Sequence, residues 1–425
     1  MMRGYLPPLL VAFPLWVCGQ SMNLTLAEAS KLAVQNHPQL AAARLTAAAA
    51  YQTPLQLRAT RMPMLSGAFT GVGADSATRL AAGALNNPVV YNRLGSGLLI
   101  NQVVTDFGKT SKSIAAARLR AQAQDQVTET TRANILVSVA RSYFAVLRAR
   151  AVLTVAEQTV SARQLVAAQV AALAQSNLKS TLDVSFANVN LADARLLLSQ
   201  ARNEVQSAET QLAAAIGLSA PTSFTLSEEA APAPLPDTVE AFVRLALQDR
   251  SELKDLRLQK SAADRLAKAE HAQFFPSITL AGSTGVVPAG EAVLPRHYGA
   301  VGLNLSVPIF NGGLFRSRQT EAELRAKAAS ENLNDLTLRI TRDVRVAYLN
   351  AMTAFERLGL TEQLLQQAQL SLELAQTRYD LGLSAIVELS QAQLNLTSAQ
   401  IANAAARYDY QAQRVVVDYQ IGALR

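Results

Sequence analysis

The chain has 425 residues and a formal net charge of +7, and half of its residues are apolar although only 5% are aromatic. The basic residues do not alternate with aromatic residues in one cluster, so we expect no nucleic-acid-binding surface. The three histidines, His37, His271 and His297, have no metal-ligand spacing with one another or with the single cysteine, and no nucleophile stands in an elbow motif. Composition and motifs therefore predict neither an enzyme nor a bound cofactor or metal.

The first residues, 1–19, are typical of an export signal. Arg3 precedes a short apolar run, and small residues surround a cleavage point after Gly19. The run is too short and too rich in proline to span a bilayer as a helix. Cys18 leaves a second interpretation open, in which it carries a lipid anchor, although Trp16 and Val17 fit that signal poorly. Both interpretations predict that the protein leaves the cytoplasm.

The rest of the chain is predicted to be an internal duplication. The stretch TLAEASKLAVQNHPQLAAARL, from Thr25, reappears as TVEAFVRLALQDRSELKDLRL, from Thr238. After a loop that is shorter in the second copy, an offset of 205 residues matches Gly108 with Gly313 and continues to the C-terminus. A repeat of this length indicates a duplicated architecture rather than a catalytic site. It predicts a first repeat at 20–218, a proline-rich linker at 219–236 and a second repeat at 237–425.

Each repeat is expected to run from short helices through two strands to two long helices. Period-two alternation of apolar and small or polar residues predicts strands at about 62–75, 94–107, 277–287 and 299–310. Long runs without proline or glycine predict helices at about 109–175, 178–217, 314–381 and 383–421, the longest roughly 100 Å long. A period of 3.5 residues indicates coiled-coil packing. We expect its seam at Ala368, Leu372 and Ala375 on the third long helix and at positions from Leu383 through Val387 and Leu394 to Tyr408 on the fourth.

The strands fit two environments. About ten residues, apolar on one side and small or polar on the other, are typical of a transmembrane β-strand, but a soluble sheet gives the same pattern. Four strands cannot close a barrel, and an open sheet in lipid would leave unpaired backbone groups at its edges. A membrane location therefore requires several chains to share one barrel, and three chains would supply twelve strands.

Four segments of the chain resemble the TolC-like outer-membrane efflux proteins. The motifs are LTLAEASKLAVQNHPQL, VARSYFAVL, LSVPIFNGG and RYDLGLSAIVELSQAQLNL, in this order and over nearly the whole chain. The resemblance implies an α+β membrane fold: a homotrimer with a twelve-stranded β-barrel among outer-membrane lipids, continued by a periplasmic α-helical barrel. It also implies a passive duct that exports small molecules for an inner-membrane transporter (RND, ABC or MFS type) through a periplasmic adaptor. A duct for type I protein secretion and a periplasmic structural coiled coil remain alternatives.

The turns between the long helices are where the resemblance places adaptor docking. Leu381, Gly382 and Leu383 form the second tip, and Asn177 and Leu178 belong to the first. Gly382 can adopt the left-handed conformation that ends a helix. Asn177, its repeat equivalent, is the next-best residue for that conformation.

The resemblance places a periplasmic gate beside these tips, at Tyr379, Asp183 and Glu388. We expect Tyr379 to hydrogen-bond across to a neighbouring helix, with Asp183 as acceptor, and three copies of Glu388 to form a ring that favours cations. Gln391 stands where the family often has a second acid and Ser384 where it often has an arginine, which predicts a less acidic, more loosely latched gate. Alternatively, Asp183 and Glu388 are solvated and Tyr379 is a seam residue. The gate hypothesis predicts that Tyr379→Phe with Glu388→Ala raises conductance.

Overall fold

The computed structural model describes residues 22–76, 78–79, 89–219, 224–228, 233–236 and 238–424. The expected export signal at 1–19, with Cys18, lies outside the described residues. None of the described helices combines the length and hydropathy needed to cross a membrane. In chain order the elements are β1 (Met22–Leu24), α1 (Leu26–Asn36), α2 (Pro38–Ala50), α3 (Gln52–Ala59), β2 (Met64–Val72), β3 (Arg93–Thr105), α4 (Lys109–Gln175), α5 (Thr181–Ile216), β4 (Phe224–Leu226), α6 (Glu240–Asp249), α7 (Ser251–His271), β5 (Ser277–Gly290), β6 (His297–Ser306), α8 (Leu314–Asp380) and α9 (Ile386–Gln420).

Four antiparallel strands form one sheet, in the order β2-β3-β5-β6. Both repeats contribute two strands, and the β3–β5 pair joins the repeats. Each strand continues into, or follows, a helix at the same end, so the sheet caps one end of the helical body. The outer edges of β2 and β6 have no partner strand among the described residues. Every residue of β6 is exposed, including its apolar side chains.

The strand boundaries differ from the predicted ones. β6 ends at Ser306 rather than at 310, because Pro308 has no N–H to donate to a ladder. β3 ends at Thr105 rather than at 107, where the chain turns into α4 and Phe107 adopts a positive φ of 49°. β5 extends beyond the expected 287 to Gly290, because its last residue pairs with Arg93. β2 is shorter at both ends than the predicted 62–75.

Two long helical hairpins form the body. α4 and α8 each have 67 residues, and they pack along α5 and α9, respectively. α5 begins at Thr181 and α9 at Ile386, three residues after the expected starts. The reason is that Ser180 and Ala385 have extended backbone, with ψ of 159° and 158°, and act as N-caps.

Alanines form the buried seam of the second helix in each hairpin. They recur every seven residues on both helices, as Ala187, Ala194, Ala201 and Ala208 on α5 and as Ala392, Ala399 and Ala406 on α9. Small side chains at this spacing allow close helix contact along a left-handed seam. The expected seam on α8 is confirmed, with Ala368 and Ala375 buried. The expected seam on α9 is wrong at Val387 and Leu394, which are exposed because close packing selects the small residues, whereas its last residue, Tyr408, is buried.

The proline-rich segment between the repeats is more than a linker. β4, within the predicted 219–236, pairs in parallel with β1. The hydroxyl of Tyr143 on α4 donates to the backbone oxygen of Ser227 at 2.6 Å, and that of Tyr348 on α8 donates to the oxygen of Pro236 at 2.8 Å. These tyrosines are repeat equivalents. The segment is therefore attached to both hairpins, and its Phe224 belongs to a buried cluster with Tyr143 and Leu212.

Candidate functional site

The candidate site lies at the end of the helical body that is opposite the sheet, where each hairpin turns. Both turns have the same backbone design. The N–H of Leu178 donates to the oxygen of Leu173 at 2.9 Å, and the N–H of Leu383 donates to the oxygen of Arg378 at 2.8 Å. These bonds close a Schellman motif in each turn and satisfy carbonyls at the helix end. The two tips therefore share the same backbone hydrogen-bond pattern, although their sequences differ.

The left-handed residue of each tip is the one predicted. Asn177 has a φ of 58° and Gly382 a φ of 71°. An asparagine tolerates this conformation because its short polar side chain can bond locally, whereas glycine adopts it freely. The tip leucines Leu178, Leu381 and Leu383 are 70%, 68% and 68% exposed. Each tip thus presents apolar side chains to its surroundings.

The helices that leave the tips are capped differently. In the first hairpin, Ser180 and Asp183 form a capping box, in which Asp183 accepts from the Ser180 N–H at 3.0 Å and Ser180 accepts from the Asp183 N–H at 3.1 Å. In the second hairpin, Ala385 has no side chain that can cap α9. Glu388, the repeat equivalent of Asp183, therefore has no capping partner and is available for another contact.

Glu388 makes that contact with Arg378. The Nε atom of Arg378 lies 2.9 Å from a carboxylate oxygen of Glu388 and joins the end of α8 to the start of α9. Sequence reasoning missed Arg378. The available signal was that its repeat equivalent is the apolar Leu173, so that a charged partner for the acid exists in the second copy alone. In the single chain Glu388 is paired with Arg378, and the expected ring of three such carboxylates stays a prediction.

Tyr379 lies between the two hairpins. Its side chain is 8% exposed and belongs to a buried cluster with Val170 of α4 and Leu389 of α9. The Nζ atom of Lys179, from the first tip, lies 4.0 Å from the centre of the Tyr379 ring. Attraction between the ammonium and the ring adds to the apolar packing. Tyr379 thus joins the hairpins through its ring.

The expected bond from Tyr379 to Asp183 is absent from the structure. The Tyr379 hydroxyl is buried and has no hydrogen-bond partner among the described residues of the chain. Asp183 is used by its capping box, as described above. Gln391 donates to Asn395 at 2.9 Å on its own helix, and the hydroxyl of Ser384 is buried without a described partner. The predicted gate residues therefore cluster at the tip, but only the ring of Tyr379 bridges the hairpins.

A cavity lined by both apolar and polar side chains lies between the hairpins above this cluster. It has a volume of about 360 Å³ and is lined by α4, α5 and α9. Arg163, which is 7% exposed, donates to Gln393. Asn190 donates to the hydroxyl of Ser390 at 2.8 Å. Burial lowers the pKa of Arg163, and the charge of Asp193 partly opposes the shift. Polar pairs therefore hold the hairpins together where the tip cluster ends.

Nothing at this site is arranged for metal binding: in the part of the chain that the structure describes, no three His, Cys, Asp or Glu side chains could share a metal ion. The sequence profile of the outer membrane efflux protein family matches residues 29–218 and 242–422. The chain belongs to this family. An outer membrane efflux protein is a channel component of the outer membrane, which favours this role over a periplasmic structural coiled coil.

Individual relatives of this outer membrane efflux protein are distant but cover most of its length. The chain is 25% identical to the outer membrane protein TolC of Salmonella enteritidis over 401 residues, which are 92% of the chain and 80% of that protein. It is 26% identical to the alkaline protease secretion protein AprF of Pseudomonas aeruginosa over 430 residues, with 96% and 86% covered. The fold is similar to that of CusC, with a TM-score of 0.80 at 20% identity and 99% of each chain covered.

Proposed function

We propose that this outer membrane efflux protein acts as a homotrimeric, passive duct whose twelve strands close one barrel in the outer membrane. The observation that carries the proposal is the four-stranded sheet, whose edge strands β2 and β6 have no further partner in the part of the chain that the structure describes. Within lipid, unpaired backbone groups are too costly to persist, so the edges need a partner. The strand order makes β6 of one chain antiparallel to β2 of the next. Three copies would therefore pair every edge.

The helices support the same assembly. Leu182, Val189 and Leu196 recur every seven residues on α5 and are 63%, 57% and 59% exposed. This stripe lies away from the buried alanine seam of the same helix. Leu360 and Leu364 form an exposed apolar stripe on α8. A soluble surface rarely keeps such stripes uncovered. Packing of α5 against α8 of a neighbouring chain would cover both and close a periplasmic tunnel.

The gate is proposed to open where the hairpins separate. Moving the second hairpin away from the first would break the packing of Tyr379 and its contact with Lys179. The ion pair between Arg378 and Glu388 lies within the second hairpin and would move with it. Gating and ion selectivity therefore depend on different residues: Tyr379 holds the closed state, and Arg378 sets the charge of the narrow end.

The exposed tip leucines support docking of a periplasmic adaptor, which would connect the duct to an inner-membrane transporter. Apolar side chains at both tips would fit an apolar surface on the partner. Because Leu178 of the first tip and Leu383 of the second are repeat equivalents in the same motif, we propose that the adaptor engages both tips. Replacing both leucines by glutamate should abolish copurification with the adaptor and leave the trimer intact.

The assembly can be tested with two neighbouring exposed positions on α5. Leu196→Glu places a charge on the proposed interface between chains, whereas Arg195→Glu, on an adjacent flank of the helix, is the matched control. We expect the wild type and the control to run as trimers in detergent and to conduct in a planar bilayer, and Leu196→Glu to lose both properties. A monomeric wild type, or a fully trimeric Leu196→Glu protein, would refute the proposal.

Small molecules are the proposed cargo, as the family description of efflux suggests. The alternative, protein secretion, is favoured by the similarity over nearly the whole chain to AprF, which is named for alkaline protease secretion. A deletion strain separates the two. We expect higher sensitivity to small toxic compounds and unchanged secreted proteins. Loss of a secreted protein with unchanged sensitivity would support the secretion duct instead.

A further inference from the structure

We propose that basic side chains at the junctions between strands and helices form a collar that binds anionic phospholipid headgroups of the periplasmic leaflet. The collar residues are Arg58, Arg61, Lys109, Lys112, Arg265, Lys268, Arg316 and Arg318. They lie at the helical end of the membrane strands, so the inference rests on the proposed orientation of the duct. It goes beyond the duct itself because it assigns a lipid-binding surface.

The charge of the chain is concentrated at these junctions. The whole chain has 39 basic and 32 acidic residues. The segments 58–63, 106–112, 265–276 and 307–318 together hold eight basic and two acidic residues, which leaves 31 and 30 for the rest of the chain. Nearly all of the positive excess therefore lies within 37 residues. In a trimer the excess would form a ring around the channel at one level.

The collar side chains are available for a ligand. They are exposed or half-buried, and among the described residues none has a carboxylate oxygen within 4.0 Å. Side chains of a helix lean toward its N-terminus, which for α4 and α8 is the membrane end. The Cε atom of Lys112 accordingly lies 3.7 Å from the position that a Cβ of Gly108 would occupy, one turn nearer the strand. The side chain of Lys112 therefore extends toward the strand end of α4, and we expect the same direction for the other basic side chains of the first turns.

The collar residues of α4 and α8 stand where a helix disfavours cations. Neither helix has an acidic residue in its first turn. The helix dipole makes the first turn positive, so Lys109, Lys112, Arg316 and Arg318 add like charge to it. Before α4, Asp106 partly compensates by accepting from the N–H groups of Gly108 and Thr110. The basic residues stand at different positions in the two repeats. The junctions of the two repeats therefore have positive charge in common but no equivalent side-chain contact.

Aromatic rings mark the level of the membrane surface beside the collar. The rings of Phe107 and Phe275 stack at 6.3 Å, and those of Phe274 and Phe315 meet at 5.8 Å. Phe107, Phe274 and Phe275 remain about half exposed. Aromatic girdles of this kind are typical of the boundary between hydrocarbon and headgroups. Basic residues on the helical side of the rings would lie at the depth of lipid phosphates.

The test measures lipid binding with two matched variants. The junction variant is Lys109→Gln, Lys112→Gln, Arg316→Gln and Arg318→Gln. The control variant removes the same charge from exposed helix positions elsewhere, as Lys31→Gln, Arg195→Gln, Arg202→Gln and Arg357→Gln. Fluorescent phosphatidylglycerol and phosphatidylethanolamine are titrated into each detergent-purified protein at low and at high salt. The pair Arg316→Gln and Arg318→Gln alone serves if the four-residue junction variant fails to fold.

We expect the wild type and the control to bind phosphatidylglycerol more tightly than phosphatidylethanolamine, with the preference lost at high salt. A basic residue near an anionic surface contributes about fivefold, so the junction variant should bind phosphatidylglycerol at least tenfold more weakly. Equal affinity of the junction and control variants, or equal binding of both lipids by the wild type, would overturn the collar. Conductance of the same samples tests the duct separately: a wild type that binds lipid through these residues but does not conduct refutes only the duct.

Discussion

Replacing Tyr379 by phenylalanine should leave the gate closed, whereas replacing it by alanine should open it. The ring is 8% exposed and packs between the hairpins, but its hydroxyl is buried without a partner in the described chain. Burying an unpaired hydroxyl costs about 1–3 kcal/mol in proteins, so its removal should not weaken the closed state. This expectation reverses the one drawn from the sequence, in which the hydroxyl held the latch.

The alanine variant removes the ring itself. Truncating a buried aromatic residue costs about 3–5 kcal/mol, and the loss of the Lys179 contact adds about 0.5–1 kcal/mol. Since 1.4 kcal/mol is a factor of ten, each hairpin should shift toward the open state by roughly two orders of magnitude or more. Single-channel recording in planar bilayers should show near-wild-type conductance for Tyr379→Phe and a large increase for Tyr379→Ala.

Tyr348→Phe is the matched control. Tyr348 is also 8% exposed, but its hydroxyl donates to Pro236 far from the tips. Its replacement should lower the free energy of unfolding by about 0.5–1.5 kcal/mol without changing conductance. If Tyr379→Phe opens the channel as strongly as Tyr379→Ala, the hydroxyl is bonded in the assembled channel and the account of a latch made by the ring alone fails.

Three further predictions concern charge and backbone. Arg378→Gln should raise cation selectivity, measured as the reversal potential in a KCl gradient, because the charge of Glu388 is then no longer neutralised. The exposed ion pair contributes at most about 1 kcal/mol to the free energy of unfolding, so a large loss of stability would contradict this account. Gly382→Ala should weaken the second tip by about 1 kcal/mol because an L side chain is strained at a φ of 71°, and unchanged hydrogen exchange at that tip would count against it. Glu252, in the first turn of α7, forms an ion pair with Arg250 at 2.7 Å. Burial alone would raise the pKa of Glu252, but the hydrogen bond and charge of Arg250 outweigh it and lower the pKa from its ordinary value of 4.5. The stability from this lowered pKa is present above about pH 4.5 and is lost as the pH falls through the folded-state pKa. Glu252→Gln should therefore flatten that part of the acid unfolding curve. An unchanged curve would show that the ion pair of Arg250 with Glu252 is not the source of the pH dependence.

The candidate site was predictable in place but only partly in its contacts. The repeat comparison located both tips and identified the left-handed positions Asn177 and Gly382. It could not show that Arg378 reaches Glu388, because the two residues are brought together by the path of the turn rather than by helical spacing. The family resemblance suggested a bond from Tyr379 to Asp183, but the Tyr379 hydroxyl has no partner among the described residues and Asp183 bonds to Ser180 instead.

The strands and long helices were predictable because each follows a local periodicity. The seam of α9 was not, because Val387 and Leu394 repeat every seven residues just as Ala392 and Ala399 do. Periodicity alone does not tell which of two stripes faces the nearest helix. Contact distance decides it, since close packing accepts alanine and leaves the larger residues for a more distant partner.

The duplication, the order of strands and helices, and the family could all be derived from the amino-acid sequence, because these depend on patterns along the chain. Three-dimensional contacts were needed to establish which face of each helix is buried, which charges meet at the tips and how the segment around β4 is attached to both hairpins. These features depend on groups far apart in sequence, such as Tyr379 and Lys179, whose contact depends on the relative position of two hairpins. A local pattern carries no information on that distance.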